Sequence, residues 1–205
     1  MTQSIETKIE YRIRGTGRGW IFSSKDFLDL APRSTIDSAL HRIELKGTIR
    51  RIIRGLYDYP RFSEMLGQQL SPDTDQVARS LARKFRWRIQ PSGATALNYL
   101  GLSTQVPAKI VYLSDGPDRV YHPGKTPLVF EHTALKESGV DLKESGLIVQ
   151  ALKALGSGNI TPDVTSQLRS WLPPSMRAKV LADTRTVTGW VYAAIEKTFA
   201  EPPHG

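Results

Sequence analysis

Apolar residues recur along this chain with two periods, and each change of period marks a new element. Ile5, Ile9 and Ile13 are spaced four apart and predict an amphipathic helix over about 3–14. Gly15, Gly17 and Gly19 then end it in a loop. Trp20-Ile21-Phe22 predicts a short strand. Ser23-Ser24-Lys25-Asp26 predicts a capped short helix reaching Leu30. Ala31-Pro32 predicts a turn, because the residue before proline avoids the α region. Ser34 then reads as an N-cap with Asp37 at the capping-box spacing. Ile36, Ala39, Leu40 and Ile43 form one buried helical stripe. Ser34, Ser38, His41, Arg42 and Leu45 occupy the opposite side, Leu45 being expected to pack under the ribbon that follows. Gly47 stands where a helix ends in positive φ. Thr48–Ile53 is rich in β-branched residues, Arg54-Gly55 suits a tight turn, and Leu56–Tyr59 returns as a second strand. Tyr57 and Tyr59 on that strand are expected to pack.

Residues 60–71 read as a connector. Ser71-Pro72-Asp73 predicts a cap with proline at the first helical position, and Val77, Ala78, Leu81 and Phe85 give the next buried stripe. Arg79, Arg83 and Lys84 lie off that stripe; they either extend the basic surface or keep the helix soluble, and the second is the expected reading. Strands are expected at Arg86–Gln90, Ala108–Leu113, Arg119–His122 and Pro127–His132, with a short helix from Ser92 to Leu100. Helices then dominate: Gly146–Leu155, Pro162–Leu172, Pro174–Asp183 and Val187–Ala200, before a frayed tail at 201–205. The expected fold class is α+β. An N-terminal winged helix-turn-helix (1–60) and the connector (61–71) precede a small mixed α/β domain with a helical C-terminal end (72–200).

The winged-helix expectation rests on the order of elements and on charge. A helix with small and basic outward residues runs straight into a basic hairpin, a layout that places the helix in a DNA major groove and the hairpin along the phosphates. Ser34, Ser38, His41 and Arg42 are expected at base edges, and Arg50, Arg51 and Arg54 at phosphates. Lys25, Arg33, Thr35 and Lys46 complete the expected DNA surface. The bland alternative is a solvated helix face with local ion pairs. The net charge of +8 is uneven: residues 1–90 hold 17 Lys and Arg against 10 Asp and Glu, and residues 91–205 hold 11 against 10. A basic first half suits a polyanionic partner, and a near-neutral second half a different task. No apolar run nears the roughly 18 residues of a membrane helix. The first 15 residues lack the apolar core of a secretory signal, and cysteine is absent. A cytoplasmic protein without membrane contact is expected.

Other chemistry finds little support. Gly15, Gly17 and Gly19 lack the preceding strand and the spacing of a dinucleotide loop. Pro123-Gly124-Lys125-Thr126 resembles the end of a phosphate loop, but Arg119 stands where its first glycine belongs and Pro127 where a helix should run. His122, Glu131 and His132 lie close enough in sequence to suggest a metal site; structural polar roles are the expected reading. Asp141-x-Lys143 is a fragment of a nuclease pattern without its second acid. No cofactor, metal or catalytic set is expected.

Two stretches resemble a known family. Gly47–Tyr57, GTIRRIIRGLY, looks like the wing of AbiEi-type (DUF6088-like) antitoxins of type IV toxin–antitoxin systems, ending in that family's R-G-x-Y step. Pro91–Pro107, PSGATALNYLGLSTQVP, looks like the block that opens their antitoxin domain. The resemblance spans about 1–135. It implies an N-terminal winged helix that binds operator DNA and represses its own operon. It also implies a C-terminal domain that neutralises a nucleotidyltransferase toxin encoded beside it, and no enzymatic activity. The alternatives are a DNA-targeted nuclease or nucleotide-using enzyme, and a pure protein-interaction module.

Overall fold

Ser4 closes the first turn of α1 (Ile5–Thr16) by accepting the Thr7 N–H at 3.1 Å, and Ile9 and Ile13 bury completely. The computed structural model describes residues 3–133 and 140–200; the tail expected to fray, 201–205, lies outside the described residues. The chain divides into two compact units, residues 1–87 with 120–128 and residues 88–119 with 129–205.

In the first unit, β1 (Ile21–Phe22) leads into a 3-10 turn, Ser24–Phe27, where Ser23 and Asp26 form a reciprocal capping box. The short helix expected through Leu30 is this single tight turn. α2 (Arg33–Leu45) begins earlier than Ser34 predicts. Its N-cap is Pro32, no side chain caps it, and the Ser34 carbonyl accepts the Ser38 hydroxyl at 3.0 Å inside the helix. Proline at extended φ, ψ already aims the chain into the helix, so the start moves upstream. At the far end Gly47, at φ 74°, donates to Glu44 O at 2.8 Å and Thr48 donates to Ile43 O at 3.3 Å. That pair of bonds is a Schellman ending.

β2 (Arg50–Ile53) and β3 (Leu56–Asp58) pair antiparallel around Gly55, with Ile52 as an extra residue between the Arg51–Tyr57 and Ile53–Leu56 pairs. β1 pairs with the other side of β3, giving the order β1-β3-β2. Alternation along a strand sorts the residues by face. Phe22 and Tyr57 point to one side and share a core with Ile9, Ile13, Ile36, Ala39, Leu40 and Ile43. Ile21 and Leu56 point to the other.

The stretch 61–71 is a hairpin rather than a bare connector: β4 (Phe62–Ser63) pairs with β5 (Gln68–Gln69). α3 (Thr74–Phe85) follows, capped by Asp73, whose carboxylate accepts the Asp75 and Gln76 N–H groups; Pro72 precedes the cap. Val77, Ala78 and Leu81 are buried. α3 lies against β1, where the Ser80 hydroxyl reaches Ile21 O at 3.5 Å. Residues 72–87 therefore belong to the first unit, not to the C-terminal domain expected from 72. The physical reason is that the three-stranded sheet has two apolar faces, and α3 covers the one that α1 and α2 leave open.

Residues 88–132 hold β6 (Ile89–Pro91), α4 (Gly93–Tyr99), β7 (Ile110–Ser114), β8 (Arg119–Tyr121) and β9 (Leu128–His132), with β6, β7 and β9 side by side in that order. α5 (Lys143–Leu155), α6 (Pro162–Trp171), α7 (Pro174–Asp183) and α8 (Gly189–Phe199) form the helical end. Their core gathers Ala96 from α4 and Leu100 at its C-cap with Ile148, Leu152, Leu168, Val180, Val191 and Ile195. The fold is α+β with a helical C-terminal end.

Gly93 and Ala96, two of the small residues in the Pro91–Pro107 block, have a packing explanation. A β-carbon on Gly93 would stand 2.5 Å from Ala154 Cβ on α5. Gly93→Val should therefore cost about 1–3 kcal/mol by overpacking, measured as a lower urea midpoint with an unchanged slope. Asp183 ties this unit together at another point. It accepts the N–H groups of Asp141 and Leu142, both at 3.0 Å, at the start of α5, which has no side-chain cap of its own. Burial raises the Asp183 carboxyl, but the Ser145 hydroxyl, together with these two N–H donors, outweighs it and holds the group below its ordinary range.

Candidate nucleic-acid interface

The face of the β2–β3 hairpin that looks toward α2 carries Arg51. Directly paired residues share a face, so Arg51 lies on the side of its partner Tyr57. The Tyr57 ring stacks on Phe22 with centroids 6.2 Å apart, which fixes the floor of that surface. Burial raises the Tyr57 hydroxyl's pKa. Across from it stand Arg33 and Asp37, one turn apart at the start of α2, with Nε to Oδ2 at 3.6 Å. Between the two elements runs a cleft of about 490 Å³, lined by Lys25, Arg33, Arg51, Arg54 and Lys84 and by a single carboxylate, Asp37.

The eleven residues expected to meet DNA separate into groups. Lys25, Arg33, Arg51 and Arg54 line the cleft. Lys25 Nζ donates to Lys84 O at 2.9 Å. Ser34, Thr35, Ser38 and His41 are exposed along the outer side of α2, with His41 Nδ1 3.6 Å from Glu44. Arg42 and Lys46 sit further along the helix and both hold Glu6 of α1, Arg42 Nε at 2.9 Å. Leu45 is 73% exposed and does not pack under the ribbon.

Arg50 departs from the expectation. Its guanidinium forms a fork with Asp58, Nε–Oδ1 3.1 Å and Nη2–Oδ2 2.6 Å, and Nη2 also donates to Leu70 O at 3.0 Å. It belongs to the opposite face of the hairpin from Arg51, because neighbours on a strand point to opposite sides. Arg50 is an internal anchor and is removed from the phosphate-contacting set.

The Glu6 cluster is different in kind. Lys46 and Arg42, through their hydrogen bonds, hold the Glu6 carboxyl below its ordinary range. Both cations remain exposed, and surface pairs of this sort hold weakly. Glu6→Gln is expected to free Arg42 and Lys46 for any polyanion, so the variant should leave a heparin column at higher salt than the parent.

Lys84 was missed by sequence reasoning, which left it as a solubilising residue of α3. The signal present was its place beside Arg83 in the last turn; what could not be read was that α3 folds back onto the hairpin. Lys84 Nζ donates to Arg54 O at 3.1 Å.

His132 Nδ1 lies 2.9 Å from Gly116 O, Glu131 pairs with Lys109 at 3.2 Å, and Asp115 binds Arg88 at 2.8 Å. Among the described residues no three His, Cys, Asp or Glu side chains converge on a metal-sized site, and no helix is long and apolar enough to cross a membrane.

Fold and cleft together define an α+β chain whose N-terminal unit presents a cation-lined groove between a helix and a hairpin. Residues 8–177 match DUF6088, a family of unknown function, and the chain belongs to that family. No curated protein matches it. Among solved structures, the crystal structure of RV2827C protein from Mycobacterium tuberculosis is similar over 97% of this chain and 77% of that one, at 12% identity and a TM-score of 0.44.

Proposed function

We propose that the N-terminal unit is a winged helix-turn-helix that binds duplex operator DNA in the cytoplasm, and that the chain is the antitoxin and autorepressor of a bacterial type IV toxin–antitoxin pair. The observation that carries the DNA reading is the cleft. Arg51 and Arg54 on the hairpin line it together with Arg33 on α2, Lys25, Lys84 and one carboxylate. Phosphate contact needs such a strip of cations flanking an exposed helix edge. The path helix, strand, turn, helix, hairpin and the strand order β1-β3-β2 support it. In this reading α2 enters the major groove with Ser34, Thr35, Ser38 and His41 leading, and Arg51 and Arg54 lie along the backbone.

The antitoxin half of the proposal is supported by the resemblance of the Gly47–Tyr57 and Pro91–Pro107 stretches. The partner is a nucleotidyltransferase toxin encoded beside this chain, and the C-terminal unit is the part that acts on it.

Two measurements test the pair of claims. Fluorescence anisotropy should show this chain binding its own promoter more tightly than random duplex, with steep salt dependence. Coexpression with the adjacent nucleotidyltransferase should restore growth. Equal binding to promoter and random duplex would end the operator claim, and continued growth arrest would end the antitoxin claim.

A further inference from the structure

Lys84 is a cation that the fold brings into an already positive cleft, with no carboxylate paired to it among the described residues. Its Nζ is pinned by the Arg54 carbonyl at 3.1 Å. It also lies so close to Gly55 that a β-carbon there would stand 3.0 Å from it. Its own carbonyl accepts Lys25 Nζ at 2.9 Å. Lys25, Arg33 and Arg54 line the same cleft, and Asp37, its one carboxylate, is turned to Arg33 at 3.6 Å. Like charges collected this way cost the folded chain free energy that a bound anion would recover.

The geometry points to an anion site completed by α3, in which Lys84, Lys25, Arg33 and Arg54 together hold one phosphate group between the start of α2 and the β2–β3 turn. Burial, and then repulsion from Arg33, Lys25 and Arg54, pulls the Lys84 amine below its ordinary pKa, as expected of a site whose counter-charge comes from outside. A phosphate would meet cations from four places in the fold, the 3-10 turn, α2, the β2–β3 turn and α3, with Lys25 and Lys84 each already hydrogen-bonded to a backbone carbonyl. The site deepens the DNA reading, on which it rests for one source of the phosphate, a backbone diester. The other source is a free phosphate-bearing molecule.

The test uses the full chain and two readouts. Pyrophosphate titrated into the parent protein should raise its thermal midpoint saturably. The rise should vanish in Lys84→Met and persist in Lys84→Arg. Arg54→Gln, which leaves α3 untouched, should also lose it and serves if Lys84→Met does not fold. In parallel, the slope of log affinity for duplex against log salt should fall by about one in Lys84→Met. A Lys84-dependent fall in slope assigns the phosphate to the DNA backbone. A Lys84-dependent pyrophosphate shift with an unchanged slope assigns it to a free ligand. If neither signal depends on Lys84, the site is wrong, while duplex binding through Arg51 and Arg54 would still stand. If the parent binds no duplex, the DNA reading fails and the pyrophosphate arm alone decides the anion site.

Discussion

Arg50→Ala is expected to destabilise the protein by about 2–3 kcal/mol, although Arg50 sits among arginines that a sequence assigns to phosphate contact. The loss arises at Asp58, whose side chain is only 2% exposed. Removing the guanidinium leaves that carboxylate buried with no cation, and takes a donor from Leu70 O as well. The cost stays below the about 3–5 kcal/mol of a fully buried pair because Arg50 keeps 31% of its side-chain surface in water. A fall of about 5–10 °C in the thermal midpoint is the corresponding measurement. Arg50→Met with Asp58→Leu should recover most of it, since an apolar pair of similar size has no charge to strand. A single Arg50→Ala variant that melts with the parent would show that Asp58 is not held by this fork.

The contrast between Arg50 and Arg51 shows where the sequence was legible and where it was not. The stripe Ile36, Ala39, Leu40 and Ile43 placed α2 and its buried side correctly, because a single helix of this length is governed by local periodicity. Gly47 ended it for the local reason of backbone handedness. The three arginines were grouped by proximity, and the pleat divides them. Alternation alone would have set Arg50 against Arg51, and Asp58 across the hairpin was the visible partner. The place of α3 was not readable in that way. Val77, Ala78 and Leu81 announce a buried stripe but not what it lies on, so both the boundary after 87 and the role of Lys84 depended on tertiary contact. The hairpin at 62–69 escaped for a different reason. Its strands are two residues each, too short to show a period. In the Pro91–Pro107 block the sequence marked Gly93 without saying why; the close approach of Ala154 on α5 supplies a packing reason.

Arg51→Ala with Arg54→Ala is expected to do the reverse of Arg50→Ala: leave the melting curve in place and remove most of the duplex affinity. Both residues are exposed, and neither side chain has an ion pair among the described residues, so the fold loses no pairing with them. Each is expected to neutralise one phosphate. The double variant should therefore lower the slope of log affinity against log salt by about 2 and weaken binding on the order of tenfold per arginine at low salt. The loss should be the same for promoter and random duplex, since phosphates carry no sequence. Ser38→Ala on the outer edge of α2 should show the opposite pattern, narrowing the gap between promoter and random duplex while leaving the salt slope alone. Anisotropy titrations at four or more salt concentrations separate the two effects. A double variant that keeps the parent's slope would mean that the hairpin does not lie on the backbone, and the groove between α2 and β2–β3 would then have to be assigned to an acidic partner other than DNA.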